Sequence, residues 1–319
     1  MNEQKIIIDI LSEDKILNKD IFGKIDYSIL TKIISSHLFI PTFYSLLNKK
    51  KYIEYVPKNF KKFIKKIYAI NKNRNKILKE EVLFLSDVLK KARIKHVFIK
   101  GASNIFANIY NDYGERMVGD IDFLIDKSDS EKVLSLLNSK GYFSKIAIKS
   151  NYKFRHLPRM TNSKKTFAIE PHTNIIDNPK DVISTKNILK NKIKINDIWM
   201  PCYEDKFYIN ILNKTINDNA RHMLSYDFRN IYDYMVLNKK IKGKIDFRKD
   251  TVLNYIKILA ELGIYKDKSG KTRFGFFDKF RFRMKESVFL FRKIDNTIVI
   301  YFLRIKKLLS KFKKLFRVK

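Results

Sequence analysis

The sequence of 319 residues predicts an α+β fold in which a small mixed β-sheet is flanked by helical regions. Between residues 96 and 174, short apolar runs of strand length alternate with stretches of helical spacing. Before and after this segment, apolar residues recur mainly at helical spacing. The hydrophobic fraction of 45% indicates a folded chain with ample material for a core.

Residues 1–95 are predicted to form an N-terminal helical region. Two runs, residues 60–67 and residues 78–89, place apolar side chains on one helical face, with lysines opposite the first run. The second run leads to Ile94, after which the first strand begins. We expect these helices to cover the sheet.

Residues 96–200 are predicted to form the core. Its elements are, in order, a strand at 96–99, a helix at 103–110, a strand at 118–125, a helix at 130–139, and strands near 142–148 and 165–172. Gly141 follows the second helix, at the position where glycine commonly ends one. This order predicts a mixed sheet with helices on one face.

From residue 201 onward, helical spacing predicts a C-terminal helical region to residue 277 and a basic tail at 278–319. The tail contains an apolar stripe whose intervening positions are basic, with no acid among them. The stripe comprises Ile305, Leu308, Leu309, Phe312, Leu315 and Phe316. Such an amphipathic helix can contact RNA or an anionic membrane surface, here through residues 279–319. The alternative is a terminal helix docked on the core with its lysines in solvent.

The formal net charge of +34 favours an anionic partner as well. An AT-rich genome offers a second explanation, because Lys, Ile, Asn, Phe and Tyr are all abundant. The single cysteine, Cys202, excludes a disulfide framework and a cysteine-rich zinc site. No signal peptide and no run of ~20 apolar residues is evident. The predicted location is therefore the cytoplasm, with peripheral attachment at the inner membrane surface as the alternative.

The chemistry is concentrated in an acid pair on the second predicted strand. Asp120 and Asp122 flank Ile121, and side chains two residues apart on a strand project to the same face. Two carboxylates so close repel each other unless a cation lies between them, as when proteins hold Mg²⁺ beside the phosphates of a nucleotide. The pair therefore predicts metal-dependent nucleotidyl transfer. The competing explanation is chance, since surface strands alternate polar and apolar residues.

These residues resemble the motifs of the nucleotidyltransferase superfamily with the polymerase β-like fold, and within it the uncharacterised bacterial branch. The motifs read Ile99-Lys-Gly-Ala-Ser103 and Asp120-Ile-Asp-Phe123, and Arg116 precedes the second motif. A later strand ends in Glu170-Pro-His172, and His156-Leu-Pro158 resembles a further element of the branch. Ala102 departs from the usual second Gly or Ser, and the interval between the two motifs is longer than in classical polymerases. The resemblance covers residues 94–174 well and the helical part after Pro201 loosely, whereas residues before about Val82 match only as helical packing.

The resemblance implies a palm domain that moves a nucleoside monophosphate from an NTP, ATP first, to an acceptor hydroxyl with release of pyrophosphate. Asp120, Asp122 and Glu170 would be the catalytic residues and would hold two Mg²⁺ ions, or Mn²⁺ instead. Glu170 is expected at the end of its strand because Pro171 follows, and a carboxylate on an edge strand in solvent is the alternative. The acceptor stays open among small molecules, sugars, protein side chains and RNA ends.

The resemblance also implies a nucleotide-binding set and an accessory set. The nucleotide-binding set comprises Lys100, Gly101, Ala102, Ser103 and Arg116. The accessory set comprises His156, His172, His222 and Arg229. For Arg229 an ordinary helical ion pair with Asp233, four residues later, is the alternative.

Two other function classes compete with nucleotidyl transfer. The first is a catalytically inactive protein of the same fold that binds RNA or an anionic membrane surface through its basic helices. The second is a kinase, which ranks last because a Gly-x-Gly-x-x-Gly loop and a His-Arg-Asp motif are absent from the sequence.

Overall fold

The computed structural model describes residues 3–145, 155–176, 183–218, 223–241, 250–265, 274–287 and residue 295. They form the predicted α+β fold, with a five-stranded mixed sheet among many helices. The N-terminal helices are α1 (Glu3–Leu11), α2 (Lys19–Phe22), α3 (Tyr27–Ser36), α4 (Ile40–Lys49), a 3-10 turn (Tyr52–Glu54) and α5 (Lys58–Lys91).

Helix α5 is one continuous helix of 34 residues that contains both predicted runs. The buried side chains of Asn71 and Asn75 interrupt the apolar pattern between the runs. The Nδ2 atom of Asn75 donates to the carbonyl oxygens of Tyr113 (2.6 Å) and Arg116 (2.8 Å), and that of Asn71 donates to the carbonyl of Gly114 (2.7 Å). Helix α5 therefore holds the loop that leads into the acidic strand.

The core elements follow the predicted order, with one additional strand, Met160–Thr161, that was not predicted. They are β1 (His96–Phe98), α6 (Lys100–Phe106), β2 (Asp120–Ile125), a 3-10 turn (Lys127–Asp129), α7 (Ser130–Ser139), β3 (Phe143–Ser144), β4 (Met160–Thr161) and β5 (Ala168–His172). The strand order is β1-β2-β5-β4-β3. Strands β2 and β5 are parallel, and the other neighbours are antiparallel. Gly141 has φ +82° just past α7, as predicted.

Pro171 does not end its strand, and β5 is not an edge strand. Strand β5 lies between β2 and β4, and it continues through Pro171 to His172. The carbonyl oxygen of Pro171 accepts a hydrogen bond from the backbone N–H of Leu157 (2.8 Å). Glu170 therefore projects from the middle of the sheet.

Helices pack on both faces of the sheet, whereas the sequence predicted them on one. Phe123 faces the larger core with residues of α5 and α7, and Leu124 faces a second cluster with residues of α8 (Thr185–Lys190) and α9 (Tyr203–Leu212). The alternation along β2 places Asp120 and Asp122 on the same side as Leu124. Helix α6 begins at Lys100 and ends at Phe106, earlier than predicted. Residues 146–154, where the third predicted strand continues, lie outside the described part of the chain.

The remaining elements form the C-terminal part. They are α8 (Thr185–Lys190), β6 (Ile193–Ile195), β7 (Ile198–Met200), α9 (Tyr203–Leu212), a π-helical turn (Asn213–Asn217), α10 (Phe228–Asn238), α11 (Asp250–Glu261) and α12 (Phe276–Ser287). The β6–β7 hairpin was not predicted. Its turn residues, Asn196 and Asp197, both have positive φ, as a tight hairpin turn requires.

Helix α12 begins the predicted basic tail. The amphipathic stripe from residue 305 onward lies outside the described residues, so its contacts with RNA or a membrane remain a prediction. None of the described helices is long and apolar enough to cross a membrane.

We expect Asn75→Ala to lower the free energy of unfolding by about 1–3 kcal/mol, because it leaves two loop carbonyls without their buried donor. Urea denaturation monitored by circular dichroism measures the change. Asn73→Ala, at an exposed position of the same helix, is the matched control. Equal stability of the two variants would show that α5 does not anchor the loop.

Candidate active site

The parallel pairing of β2 with β5 brings three carboxylates together. Its register sets Asp122 opposite Glu170, and opposite residues of neighbouring strands project to the same face. Asp120 lies two residues before Asp122 and shares that face, as predicted. All three side chains line a cavity of about 300 Å³.

Lys100 supplies a cation to the most buried of these acids. Its Nζ donates to Asp122 Oδ1 at 2.7 Å, and Nε2 of His172 lies 2.9 Å from the same oxygen. Lys100 has φ +54°, a left-handed conformation that costs a non-glycine residue about 1–2 kcal/mol. Such strain is concentrated at functional sites in many proteins.

Asp120 is the more accessible aspartate. Its Oδ1 accepts hydrogen bonds from Arg159 Nη2 (2.6 Å) and Nε (3.2 Å). The guanidinium of Arg159 is largely exposed, so solvent screens this ion pair. Both aspartates are thus paired with protein cations, and the carboxylates need no metal to be stable in this arrangement.

These contacts determine the charges in the cluster. Burial opposes ionisation of Asp122, but the charge of Lys100 and the hydrogen bond from His172 outweigh it and hold the pKa of Asp122 well below its usual range. Burial, followed by the charge of Asp122, raises the pKa of Glu170. Burial and the charge of Lys100 lower the pKa of His172 to about 4, so its imidazole is neutral at pH 7.

The donor set suits a hard divalent cation. Ligand atoms of Asp122, Glu170 and His172 lie within 4.8 Å of one another. In the described part of the chain, the ion pairs of Asp120 and Asp122 use only Oδ1, which leaves their Oδ2 atoms for a metal. Mg²⁺ and Mn²⁺ favour carboxylate oxygens. Asp120 is not part of this group of three, and the fully buried His172 already contacts Oδ1 of Asp122 through its Nε2 atom.

Comparison with known families gives an independent result. The sequence profile of the uncharacterised nucleotidyltransferase family matches residues 23–263, a span that includes every residue of the acid cluster and cavity. The chain belongs to this family. The match extends well beyond residues 94–174, to helices α3, α4 and α5 on the N-terminal side and to α9, α10 and α11 on the C-terminal side. A search of curated proteins finds no match.

Of the predicted nucleotide-binding residues 100–103 in this nucleotidyltransferase-family chain, only the first two are at the cavity. Lys100 and Gly101 line it, whereas Ala102 and Ser103 are fully buried within α6. A Cβ atom at residue 101 would lie 3.0 Å from Cγ2 of Val118. Close packing against Val118 therefore explains this glycine as well as an approach by phosphate does.

Ser103 is already engaged inside the protein. Its Oγ donates to the carbonyl oxygen of Lys100 (3.2 Å) and accepts from Nζ of Lys206 (2.6 Å). Donation by this hydroxyl to a nucleotide phosphate would require that its contact with the Lys100 carbonyl break.

Arg116 is held by Asp233 on α10. Its Nε lies 2.9 Å from each carboxylate oxygen of Asp233, and its Nη2 is 2.8 Å from Oδ2. Tyr110 donates to the same carboxylate at 2.7 Å. This buried pair joins the loop before β2 to the C-terminal helices, and it also lines the cavity.

The predicted ion pair between Arg229 and Asp233 does not form. Arg116 takes Asp233 instead, and among the described residues the buried Nε of Arg229 has no hydrogen-bond partner. The nearby charge of Arg116, followed by burial, lowers the pKa of Arg229. Arg229 lines the cavity, where an anion would relieve both effects.

The three accessory histidines differ in position. His172 is fully buried and supports Asp122. His156 is half-buried; its ring lies 5.2 Å from that of His172, and its Nδ1 donates to the carbonyl of Leu157 at 2.8 Å. It does not line the cavity formed by the described residues. His222 lies outside the described residues.

Lys206 is one of several cavity residues that the sequence reasoning missed, among them Asp218 and Asp227. Lys206 lies on α9 at helical spacing from Ile209, Asn210 and Asn213, which line the same cavity. A lysine on the face of a helix that otherwise carries apolar and amide side chains was the available signal.

We expect Asp233→Ala to lower the free energy of unfolding by about 3–5 kcal/mol, because the buried guanidinium of Arg116 loses its counter-charge. Thermal and urea denaturation measure the effect. Asp218→Ala is the matched control, since Asp218 lines the same cavity but is half exposed in its pair with Lys214. A loss below 1 kcal/mol for Asp233→Ala would contradict the structural role of the Arg116–Asp233 pair.

Proposed function

We propose that this protein is a metal-dependent nucleotidyltransferase that moves a nucleoside monophosphate from an NTP to an acceptor hydroxyl and releases pyrophosphate. The observation that carries the proposal is the convergence of Asp120, Asp122 and Glu170 on one wall of a cavity. Family membership supports the reaction class. The cavity volume of about 300 Å³ suits a small-molecule substrate.

Mg²⁺ ions bound to these carboxylates would neutralise the triphosphate and lower the pKa of the acceptor hydroxyl. Two ions are expected, and Mn²⁺ is the alternative. Asp120 and Asp122 would hold them from β2, and Glu170 would contribute from β5 either as a ligand on the acceptor side or as the base for the acceptor proton. Lys100 and His172 keep Asp122 ionised and in position.

The helical side of the cavity supplies positive charge for the phosphate groups. Arg229 has a buried Nε without a partner among the described residues, so it is the better candidate for a phosphate contact. The guanidinium of Arg116 already contacts Asp233 and the carbonyl of Met117, and we assign it to positioning the cavity wall. ATP as the first nucleotide to test follows from the family resemblance alone.

The inactive scaffold is the competing proposal, and its support lies in the charge of the chain. Since Lys100 and Arg159 already neutralise the aspartates, the acid cluster would be stable in a protein without activity. The two proposals differ in one respect: only the enzyme needs the aspartate charges for turnover.

The test is release of pyrophosphate from each NTP with Mg²⁺, with cell extract as the source of acceptor. We expect the Asp120→Asn/Asp122→Asn protein to lose at least about a hundredfold in rate, since the variant loses the charges that hold the ions. Removal of the metal with EDTA should abolish release by the wild type. With an NTP that is labelled at its α-phosphate, the molecule that becomes labelled would be identified as the acceptor.

The matched control is Glu80→Gln/Asp87→Asn, which removes two negative charges from exposed positions of α5. It should keep wild-type activity. Equal rates for the two double variants would overturn the proposal, and release of nucleoside diphosphate in place of pyrophosphate would indicate a kinase.

A further inference from the structure

Lys206 is a buried cation without a protein counter-charge. Its side chain is 3% exposed, and its Nζ donates to the neutral hydroxyl of Ser103 at 2.6 Å. No carboxylate of the described residues forms an ion pair with it or stabilises its charge. A buried ammonium group in such surroundings is unfavourable. A leucine or methionine side chain would be more favourable at this buried position of the helix.

The position of Lys206 explains why the charge is useful. Helix α9 presents Lys206 to the same cavity that Asp120, Asp122 and Glu170 line from the sheet. The sheet side thus carries three carboxylates, and the carboxylates of the helical side are paired with Arg116 or Lys214. Lys206 adds a cation without a carboxylate partner among the described residues. A ligand that fits both sides carries a divalent metal at one end and negatively charged oxygens at the other. A metal-bound polyphosphate has this character.

We propose that Lys206 binds the phosphate oxygens of the nucleotide and is the group that makes the cavity selective for triphosphates over monophosphates. This inference rests on the proposed function, because it takes the ligand to be a metal-bound nucleotide. Ser103 holds Nζ of Lys206 in place before the ligand arrives. The structural role of Ser103 is therefore to position Lys206.

A pH dependence follows from the burial of Lys206. Burial lowers its pKa to about 7, so in the free protein the amine is largely neutral above that pH. Bound phosphate favours the ammonium form, and binding above pH 7 must take up a proton. Affinity should therefore fall by up to about tenfold per pH unit above pH 7.

Other charged groups around Lys206 do not mimic this profile. Burial raises the pKa of Cys202, at the start of α9, to about 11, above the range to be tested. Lys100 faces the cavity from α6, Arg116 from the loop before β2, and Arg229 from α10. The carboxylates that face it are Asp120, Asp122 and Glu170 from the sheet and Asp218, Asp227 and Asp233 from the helical side. Substitution of Lys206 separates its contribution from theirs.

The experiment measures binding of inorganic tripolyphosphate with Mg²⁺ by calorimetry, a probe that does not depend on the unknown base. We expect Lys206→Met to weaken this binding about tenfold to a hundredfold, and to weaken ATP binding more than AMP binding. Lys76→Met, at an exposed position of α5, removes one charge from the surface and should bind as the wild type does.

The pH profile provides a readout that structural damage would not imitate. The affinity of the wild type should fall from pH 7 to pH 9, whereas Lys206→Arg, which stays charged, should show only the titration of the ligand itself. Thermal unfolding of Lys206→Met checks that the variant is folded. The change in wild-type affinity with pH is measured on the unmodified protein, so it does not depend on whether a variant folds.

The outcomes separate this inference from the proposed function. Equal tripolyphosphate affinity of wild type and Lys206→Met would overturn the role of Lys206 while leaving the proposed function intact. A wild-type affinity independent of pH would also overturn it. Failure of the wild type to bind tripolyphosphate or any NTP would overturn the proposed function together with this inference.

Discussion

The parallel pairing of β2 with β5 is the constraint on which the candidate site depends. It sets Asp122 opposite Glu170, two negative charges that would repel each other in a low-dielectric interior. Lys100, strained at the junction of β1 and α6, compensates with a 2.7 Å contact to Asp122. The free protein thus keeps its acids together with a cation of its own, and a divalent ion would have to share these carboxylates with Lys100.

The rest of the structure holds this pairing in place from both sides. Helix α5 fixes the loop before β2 through two buried asparagines, and Asp233 on α10 fixes the same loop through Arg116. The helices that flank the sheet therefore do more than cover apolar surface. They close a cavity whose sheet side is acidic and whose helical side carries Lys206 and Arg229 beside carboxylates that are paired with Arg116 or Lys214. This division of charge suits a metal-bound polyphosphate.

Local periodicity predicted much of the fold and the acid pair. The two-residue period of β2 put Asp120 and Asp122 on one face, and the family resemblance led to Glu170. The misses involve partners that are distant in sequence. Asn71 and Asn75 interrupt the apolar pattern of α5, so one helix was predicted as two runs. Their side-chain amides donate hydrogen bonds to a loop about 40 residues away. Pro171 suggested a strand end, but its neighbours in space complete the sheet around it. Lys206 and the Arg116–Asp233 pair depend on how helices pack, which spacing along the chain does not specify.

Anomalous scattering from crystals grown with Mn²⁺ and a non-hydrolysable NTP analogue would show directly whether the carboxylate cluster is the metal site. We expect a Mn²⁺ peak about 2.0–2.3 Å from carboxylate oxygens of Asp120 and Asp122, with the phosphate groups between that ion and α9. Lys100 should then no longer be the main partner of Asp122. Bound nucleotide with no Mn²⁺ peak at these carboxylates, and with the Lys100–Asp122 pair unchanged, would contradict the assignment of this cluster as the metal site of a nucleotidyltransferase.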